Sequence, residues 1–139
     1  MEQFGRICTS CSSWKPKEDY AENAWNKKGG YFGCKKCKKE YNRKDHLKRR
    51  YNLSVKEYDN ILISQNGTCA LCNRESAKNP HNQNGKLYVD HDHVTGKVRG
   101  LLCNAHNTAL GLIGDNIDGL ERVYMYLLSK QDVLRGVDQ

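Results

Sequence analysis

The apolar positions that follow residue 54 are spaced as on one buried face of a helix. They are Val55, Tyr58, Ile61 and Leu62, which recur every three or four residues. Ser54 and Glu57 fit a capping box at the start of this segment, and Asn66-Gly67 fits a left-handed cap at its end. The pattern predicts a helix between these two signals.

Farther along the chain, two short stretches have the pattern of β-strands. The first runs from Lys86 to His93 and the second includes Thr95 to Gly100. Two strands joined by a turn are typical of this pattern. A helix is then expected from Cys103 to Gly114, with a break over residues 114–116.

A second apolar stripe covers residues 117–130. Its members are Ile117, Leu120, Tyr124, Leu127 and Leu128. Such a stripe on a predicted helix usually packs into the protein's own core. It fits the interface of a homodimer equally well, and the sequence does not distinguish the two.

The segment 35–53 is basic and contains neither Gly nor Pro, which predicts an exposed helix. We expect one side of this helix to pack through Tyr41, Leu47 and Tyr51. The residues expected to contact phosphates from its other side are Lys38, Arg43, Lys48, Arg49 and Arg50.

Positive charge is concentrated in this front part of the chain. The protein of 139 residues has a formal charge of +7, but residues 1–56 sum to +9 and residues 57–139 to −2. A polyanion such as DNA is the simplest partner for this distribution, because binding of Lys and Arg to phosphates releases counterions. A solvated basic surface is the alternative.

Only 37% of the residues are hydrophobic, below the roughly 45–50% of an average globular chain. Burial of apolar surface therefore needs support from another source, and the seven cysteines are candidates. No stretch has the roughly 18 uncharged apolar residues of a membrane span, and the start lacks the core of a signal peptide, which predicts a cytoplasmic protein. Because thiols stay reduced inside cells, closely paired cysteines are better interpreted as metal ligands than as disulfides.

Two Cys-x-x-Cys pairs enclose 22 residues near the start of the chain, a loop length close to that of a zinc ribbon. The predicted zinc ligands are Cys8, Cys11, Cys34 and Cys37. Between the pairs we expect strands over residues 20–25 and 31–32, turned by Lys28-Gly29-Gly30. A redox dithiol is the alternative, although one pair would be enough for that chemistry.

A second set of metal ligands follows the predicted capped helix. It begins with Cys69 and Cys72 and closes, after 30 residues, with Cys103 and His106. Three thiolates and one imidazole complete a tetrahedral zinc site with no open position, so this ion would be structural.

The sequence between these two knuckles carries groups that phosphodiester hydrolysis requires. Oxygen ligands suit Mg²⁺ or Mn²⁺, and Asp90 together with Asn107 would supply two of them. His91 is the natural general base, because an imidazole is uncharged near neutral pH. A surface turn or a third zinc site are the alternatives for the segment from Asp90 to His93.

The same segments resemble the recombination endonuclease VII family, a branch of the HNH or ββα-metal nucleases. The similar sequences are Tyr51 to Tyr58, Gln65 to Cys72, Val89 to His93 and Gly96 to Asn104, within a resemblance that covers roughly residues 40–130. The resemblance implies that Asp90 and Asn107 bind the catalytic cation. By the same resemblance, His91 would be the base and His93 would assist at the phosphate.

One position departs from the family pattern. Family members usually carry a fourth cysteine where this chain has His106. Zinc accepts that exchange, so metal affinity rather than activity is the property that it affects. The polar residue at the centre of a typical HNH motif has no evident counterpart and stays unassigned.

Together these patterns predict a small α+β protein braced by zinc: a ββα-metal (His-Me) finger with flanking helices and an N-terminal four-cysteine zinc ribbon. The expected segments are the ribbon over residues 1–39, a basic helix and a capped helix over 40–66, the nuclease finger over 67–114, and a C-terminal helix and tail over 115–139. The predicted function is that of a divalent-metal-dependent HNH endonuclease on branched or duplex DNA, encoded by a phage or prophage. It would hold two structural zinc ions and one catalytic Mg²⁺ or Mn²⁺, with Lys97 and Arg99 as further DNA contacts.

Two other functions fit parts of the sequence. A site-selective homing or nicking HNH endonuclease would use the ribbon and the basic helix for target preference. A non-catalytic zinc-finger DNA-binding protein is the alternative from another class, but DNA binding alone requires none of Asp90, His91 and Asn107.

Overall fold

The computed structural model describes residues 4–22, 33–75 and 85–135, the last five by their backbone alone. The chain divides into two compact units, Met1–Val55 and Lys56–Gln139. Its strands are β1 (Gly5–Ile7), β2 (Trp14–Pro16), β3 (Tyr88–His91) and β4 (Val98–Leu102), and its helices are α1 (Lys35–Tyr51), α2 (Val55–Ser64), α3 (Asn104–Leu112) and α4 (Ile117–Arg135). The predicted α+β class is confirmed. Within the described ranges, no helix combines the length and the apolar character needed to cross a membrane.

In the first unit, β1 and β2 pair antiparallel on either side of the first cysteine pair. A 3-10 turn over Lys17–Asp19 follows, and Tyr20 is then buried against Cys8 and Cys34. The prediction of a strand over residues 20–25 is wrong at its first residue. Tyr20 instead closes the 3-10 turn, because its N–H donates to the carbonyl of Lys17 at 3.0 Å. Residues 21 and 22 are not in a strand either, and residues 23–25, the turn at 28–30 and the strand expected over 31–32 lie outside the described residues.

The basic helix α1 is confirmed. It begins directly after Cys34 and ends at Asn52, which has a left-handed φ of 52°. Leu47 is buried, but Tyr41 is 60% exposed, so the expectation that Tyr41 packs is wrong. Apolar burial on α1 is limited to its last turns because the chain folds back there, where the N–H of Leu53 bonds to the carbonyl of Leu47 at 3.2 Å.

Helix α2 ends where the sequence predicts it. The residues Asn66 and Gly67 both have positive φ values, of 52° and 70°. The N–H of Gly67 bonds back to the carbonyl of Leu62 at 2.8 Å, which is the long-range bond of a Schellman cap. Glycine suits this position because L side chains rarely adopt that backbone conformation.

Strands β3 and β4 form the predicted antiparallel hairpin, and α3 completes a ββα unit. Val89 pairs with Leu101 and Asp90 with Gly100, and a bulge between Asp90 and His91 shifts the register at the end of β3. Bulges re-aim side chains and are frequent beside functional sites. Helix α3 contacts β3, so the strand end and the start of this helix belong to one local structure.

A tight break joins α3 to α4, as expected. Asp115 lies there with a φ of 54°, and the side-chain oxygen of Asn116 accepts a bond from the N–H of Gly119 at 2.8 Å. A Cβ atom on Gly119 would lie 1.6 Å from the carbonyl oxygen of Ile113. Only glycine therefore lets the first turn of α4 approach the end of α3 so closely.

The apolar stripe on α4 does not pack into the core of its unit. Its members are exposed: Ile117 by 75%, Leu120 by 51%, Tyr124 by 58%, Leu127 by 55% and Leu128 by 38%. The expectation of core packing is therefore wrong for this helix.

Four of the eleven buried apolar residues that the structure describes are cysteines. The most completely buried side chains among the described residues are Leu101, Cys8, Cys34, Cys69 and Cys103. Apolar burial is correspondingly small, as the composition predicts, and the groups at the centre of each unit are metal-ligand types.

Candidate functional site

The first cluster of cysteines lies at the centre of the first unit. The four sulfur atoms of Cys8, Cys11, Cys34 and Cys37 lie within 4.8 Å of one another, and none of these residues forms a disulfide. The backbone N–H of Cys34 donates to the sulfur of Cys8 at 3.2 Å and lowers the pKa of Cys8 to about 5. A hydrogen bond with Cys34 raises the pKa of Cys37 to about 12, since neighbouring thiols without a cation do not all ionise. Four clustered sulfurs and a readily ionised thiol fit a closed tetrahedral zinc site.

The second cluster joins Cys69, Cys72, Cys103 and His106, again with ligand atoms within 4.8 Å of one another. The Nδ1 atom of His106 lies 3.0 Å from the sulfur of Cys103 and 3.6 Å from that of Cys69, which marks Nδ1 as the metal-facing nitrogen. Burial raises the pKa of Cys69, but backbone N–H groups, first that of Cys103, outweigh it and lower the pKa to about 6. Three sulfurs and one nitrogen fit zinc as predicted.

This second cluster also positions a helix. Cys103 is the residue before α3, and the N–H of Asn107 bonds to its carbonyl at 3.0 Å in the first helical turn. Asn107 follows His106 directly, so the knuckle fixes the part of α3 that carries Asn107. Since α3 contacts β3, the two predicted cation ligands, Asp90 and Asn107, lie on contacting elements.

At the end of the hairpin, Arg99 on β4 holds the carboxylate of Asp90 on β3. Arg99 Nε donates to Asp90 Oδ2 at 2.8 Å, and Nη2 donates to Oδ1 at 2.9 Å. The Asp90 side chain is 12% exposed and that of Arg99 is 36% exposed. The hydrogen bond to Asp90 raises the pKa of Arg99 above its ordinary value, so the guanidinium stays charged. Both oxygens of Asp90 thus bind one cationic side chain.

Asp115 connects the Asp90–Arg99 ion pair to the two histidines. Its Oδ1 atom accepts a bond from Arg99 Nη2, and its Oδ2 atom lies 3.6 Å from His93 Nε2. The rings of His91 and His93 stack with centroids 4.7 Å apart and planes 23° from parallel. We call these residues, Asp90, His91, His93, Arg99 and Asp115, the hairpin cluster. It contains both histidines of the sequence motif and only the first of its two aspartates.

Asp92, the second aspartate of the motif, shapes the turn instead. Its Oδ1 atom accepts from the N–H groups of Val94 at 2.9 Å and Thr95 at 2.7 Å, while its own N–H donates to the carbonyl of Lys97 at 2.8 Å. The bond from the Thr95 N–H is the main reason that the pKa of Asp92 is lowered. Asp92 therefore fixes the β3–β4 turn and with it the position of His93.

The predicted DNA-binding residues of α1 are all exposed; they are Lys38, Arg43, Lys48, Arg49 and Arg50. Two of them have partners near the end of the helix. Arg49 Nε lies 2.9 Å from Asp45 Oδ1, and Lys48 Nζ donates to Asn52 Oδ1 at 2.6 Å. These contacts are exposed and weak, so α1 presents a basic surface in the first unit. In the second unit, Lys97 is exposed in the hairpin turn.

Comparison with known proteins decides the family. The family model for recombination endonuclease VII matches residues 44–129, more than half of the chain. The chain belongs to the recombination endonuclease VII family. The match contains the hairpin cluster, the second metal cluster and Asn107, whereas the first metal cluster lies outside it.

Two phage proteins are similar to this endonuclease VII family member. The Gene 59 protein of Mycobacterium phage D29 is 42% identical over 78 residues, which cover 55% of this chain and 44% of that protein. The Gene 59 protein of Mycobacterium phage L5 is 41% identical over 80 residues, which cover 57% of this chain and 46% of that protein. The chain thus spans less than half the length of the curated relatives it matches.

Among solved structures, the chain is similar to the crystal structure of the ββα-Me type II restriction endonuclease Hpy99I. The identity is 27% and the TM-score is 0.44, over 91% of this chain and 66% of that one.

Asp115 is the member of the hairpin cluster that the sequence does not reveal. The break at Gly114-Asp115-Asn116 is recognisable, but nothing in it indicates a partner 16 residues away at Arg99. Arg99 itself is recognisable as a basic residue of the endonuclease VII motif, but its ion pair with Asp90 is not. Such pairs depend on hairpin register and on the path of the next turn.

Proposed function

We propose that this protein is a divalent-metal-dependent DNA endonuclease of the HNH type that hydrolyses phosphodiester bonds. The observation that carries the proposal is the hairpin cluster. A buried carboxylate and two stacked imidazoles meet at the end of β3, beside the helix that carries Asn107. Membership of the endonuclease VII family supports the same chemistry.

His91 acts as the general base in this proposal. It takes a proton from the attacking water, and its ring is oriented by stacking on His93 at 4.7 Å. His93 assists at the phosphate, from a side chain that is 69% exposed and therefore accessible to DNA. The stacking keeps the two imidazoles on one side of the hairpin end, where one phosphate can meet both.

Asp90 and Asn107 would hold the catalytic cation. Their carboxylate and amide oxygens are the hard donors that Mg²⁺ or Mn²⁺ prefers. When bound, the cation would offset negative charge on the phosphate and on the leaving oxygen. The two clusters of sulfur and nitrogen ligands fit two zinc ions that have a structural role, because four protein ligands leave no open position.

The basic residues bind the DNA backbone. In the first unit they are Lys38, Arg43, Lys48, Arg49 and Arg50, and in the second unit they are Lys97 and Arg99. Contacts of this kind position a duplex without reading its sequence. We further propose that the protein is encoded by a phage or prophage, as its relatives are, and acts on branched or duplex DNA in the cytoplasm of the bacterial host.

A site-selective homing or nicking endonuclease is the second candidate. It is favoured by one observation, namely that the first unit has its own metal cluster, which lies wholly before the family match, and a basic helix that begins before it. Such a unit is suited to target selection. A non-catalytic zinc-finger protein would need none of the hairpin cluster.

Cleavage assays separate these functions. Zinc-loaded wild-type protein is incubated with supercoiled plasmid, linear duplex and a four-way junction, each in buffer with Mg²⁺ and in buffer without it. We expect Mg²⁺-dependent cleavage, with junction DNA cut fastest. Cutting at a single plasmid site would favour the homing enzyme, and absence of cleavage on all three substrates, with DNA binding intact, would favour the non-catalytic protein.

A further inference from the structure

Arg99 occupies both oxygens of the carboxylate that is expected to bind the cation. Its two nitrogens donate to Asp90 Oδ2 and Oδ1 at 2.8 and 2.9 Å. A third bond, from Nη2 to the carbonyl of His91 at 3.2 Å, places the guanidinium across the end of β3. Each oxygen keeps a second lone pair, but a divalent cation on Asp90 would lie close to the guanidinium charge and therefore competes with Arg99 for this carboxylate.

Asp115 offers Arg99 a second anionic partner at the same place. It accepts from the nitrogen Nη2 that also reaches Asp90, and its side chain is only 13% exposed. The formal charges of Asp90, Arg99 and Asp115 sum to one negative charge. When Asp90 changes partner, Arg99 can thus stay paired with a carboxylate instead of becoming an unpaired, partly buried cation, which would be costly.

We propose, on the basis of the proposed function, that Arg99 is a resident counter-ion that a divalent cation displaces from Asp90, and that Asp115 is the positioning residue that receives it. In the metal-free protein, Arg99 neutralises Asp90. In the metal-bound protein, Arg99 pairs with Asp115 and lies beside the phosphate site. The exchange makes cation affinity depend on two side chains that do not ligate the cation.

Binding of Mn²⁺ alone tests this exchange without DNA or turnover. Zinc-loaded protein is titrated with Mn²⁺ and the free aquo ion is measured by electron paramagnetic resonance, with Asp90→Asn as the background to subtract. We expect Arg99→Gln to bind Mn²⁺ roughly three- to tenfold more tightly than wild type. This is the change in affinity expected when the cation no longer competes with a partly exposed, bidentate ion pair. Arg99→Lys keeps the charge but loses the planar fork, so it is expected to bind more tightly than wild type as well.

Lys97→Gln is the matched control, because it removes one positive charge from an exposed position of the same hairpin. We expect it to change Mn²⁺ affinity by less than about twofold, from screened charge alone. Equal effects of Arg99→Gln and Lys97→Gln would overturn the proposal. If Arg99→Gln fails to fold, as judged by circular dichroism, Arg99→Lys is the deciding variant. A Mn²⁺ affinity of Arg99→Lys equal to that of wild type would then overturn the proposal.

The role of Asp115 is tested by a double-mutant cycle. Asp115→Asn leaves Arg99 with Asp90 as its one carboxylate partner in the cluster, so we expect Mn²⁺ binding to weaken roughly two- to threefold. In the Arg99→Gln background the same substitution should have no effect. Equal weakening in both backgrounds would show that Asp115 acts by its charge alone and would overturn its receiving role. If Mn²⁺ binding does not depend on Asp90 in any variant, the cation site of the proposed function is overturned. If Mn²⁺ binding depends on Asp90 but does not respond to substitution of Arg99, only this inference is overturned.

Discussion

Gln65, just after α2, bonds to both backbone groups of Leu101 on β4. Its Nε2 atom donates to the Leu101 carbonyl and its Oε1 atom accepts from the Leu101 N–H, each at 2.9 Å. Nε2 also donates to the carbonyl of Thr68 at 2.8 Å. Together with the N–H of Ala70, which donates to the same carbonyl at 3.1 Å, this side chain satisfies the backbone of Leu101 in place of a third strand. The side chain of Leu101 is itself fully buried.

We expect Gln65→Ala to lower the free energy of unfolding by about 2 kcal/mol, since it removes three hydrogen bonds of about 1 kcal/mol each and water replaces some of them. Urea denaturation in excess zinc measures the effect. Ser64→Ala is the control, because it removes one exposed bond to the Ile61 carbonyl and should change stability by less than about 0.5 kcal/mol. Equal losses in the two variants would contradict the role of Gln65.

Elemental analysis should find two zinc ions in each chain. Substitution of Cys34 by Ser should remove one of them and disorder the first unit, while Cys103→Ser should remove the other and reduce cleavage, because α3 and Asn107 depend on that knuckle. A content of one zinc in the wild type, or loss of both ions in either variant, would contradict two independent sites.

His91→Ala should reduce the single-turnover cleavage rate by about 10²- to 10⁴-fold, the usual contribution of a general base, with DNA affinity nearly unchanged. His46→Ala provides the control, since His46 is an exposed imidazole on α1 and outside the hairpin cluster. Asp90→Ala and Asn107→Ala should instead weaken Mn²⁺ binding and cleavage together. A wild-type rate for His91→Ala would exclude His91 as the base.

Charge reversal at Lys48, Arg49 and Arg50 should weaken DNA binding and its salt dependence. Removing one side chain that binds a phosphate lowers the magnitude of the slope of log K against log salt by about 0.9 on duplex DNA. Fluorescence anisotropy at several salt concentrations measures that slope. An unchanged slope would mean that α1 does not bind the DNA backbone.

The exposed stripe on α4 leads us to expect a homodimer. Leu120 and Leu127 are 51% and 55% exposed, and replacing both by Lys should shift the protein to monomer in sedimentation equilibrium. A wild type that is monomeric at all concentrations would contradict this prediction.

The elements that the sequence predicts correctly are those with local signals. Gly67 follows the last turn of α2 with a positive φ that suits glycine, and the spacing of the paired cysteines matches the two clusters in which their sulfur atoms meet. The ββα hairpin follows from local patterning in the same way. The roles assigned to His91, Asp90 and Asn107 stay predictions, although the structure places these residues on contacting elements.

The errors and omissions concern contacts between distant residues. Tyr41 and the α4 stripe have helical spacing, but spacing alone does not tell whether a neighbour exists to cover them. Asp115 reaches Arg99 although 16 residues separate the two along the chain. Such contacts depend on the path of the whole chain, which no short motif contains.

The four buried cysteines tie the stability of each unit to the redox state of its sulfur atoms. Among the described residues, the most completely buried side chains include the thiols of Cys8, Cys34, Cys69 and Cys103. In an ordinary domain, oxidation of a surface thiol leaves the packing intact, but here each sulfenic acid or disulfide would replace both a metal ligand and a core side chain. Because oxidants reach exposed thiolates first, such damage would follow transient opening of a unit, and the oxidised chain would then be unable to return to its native packing.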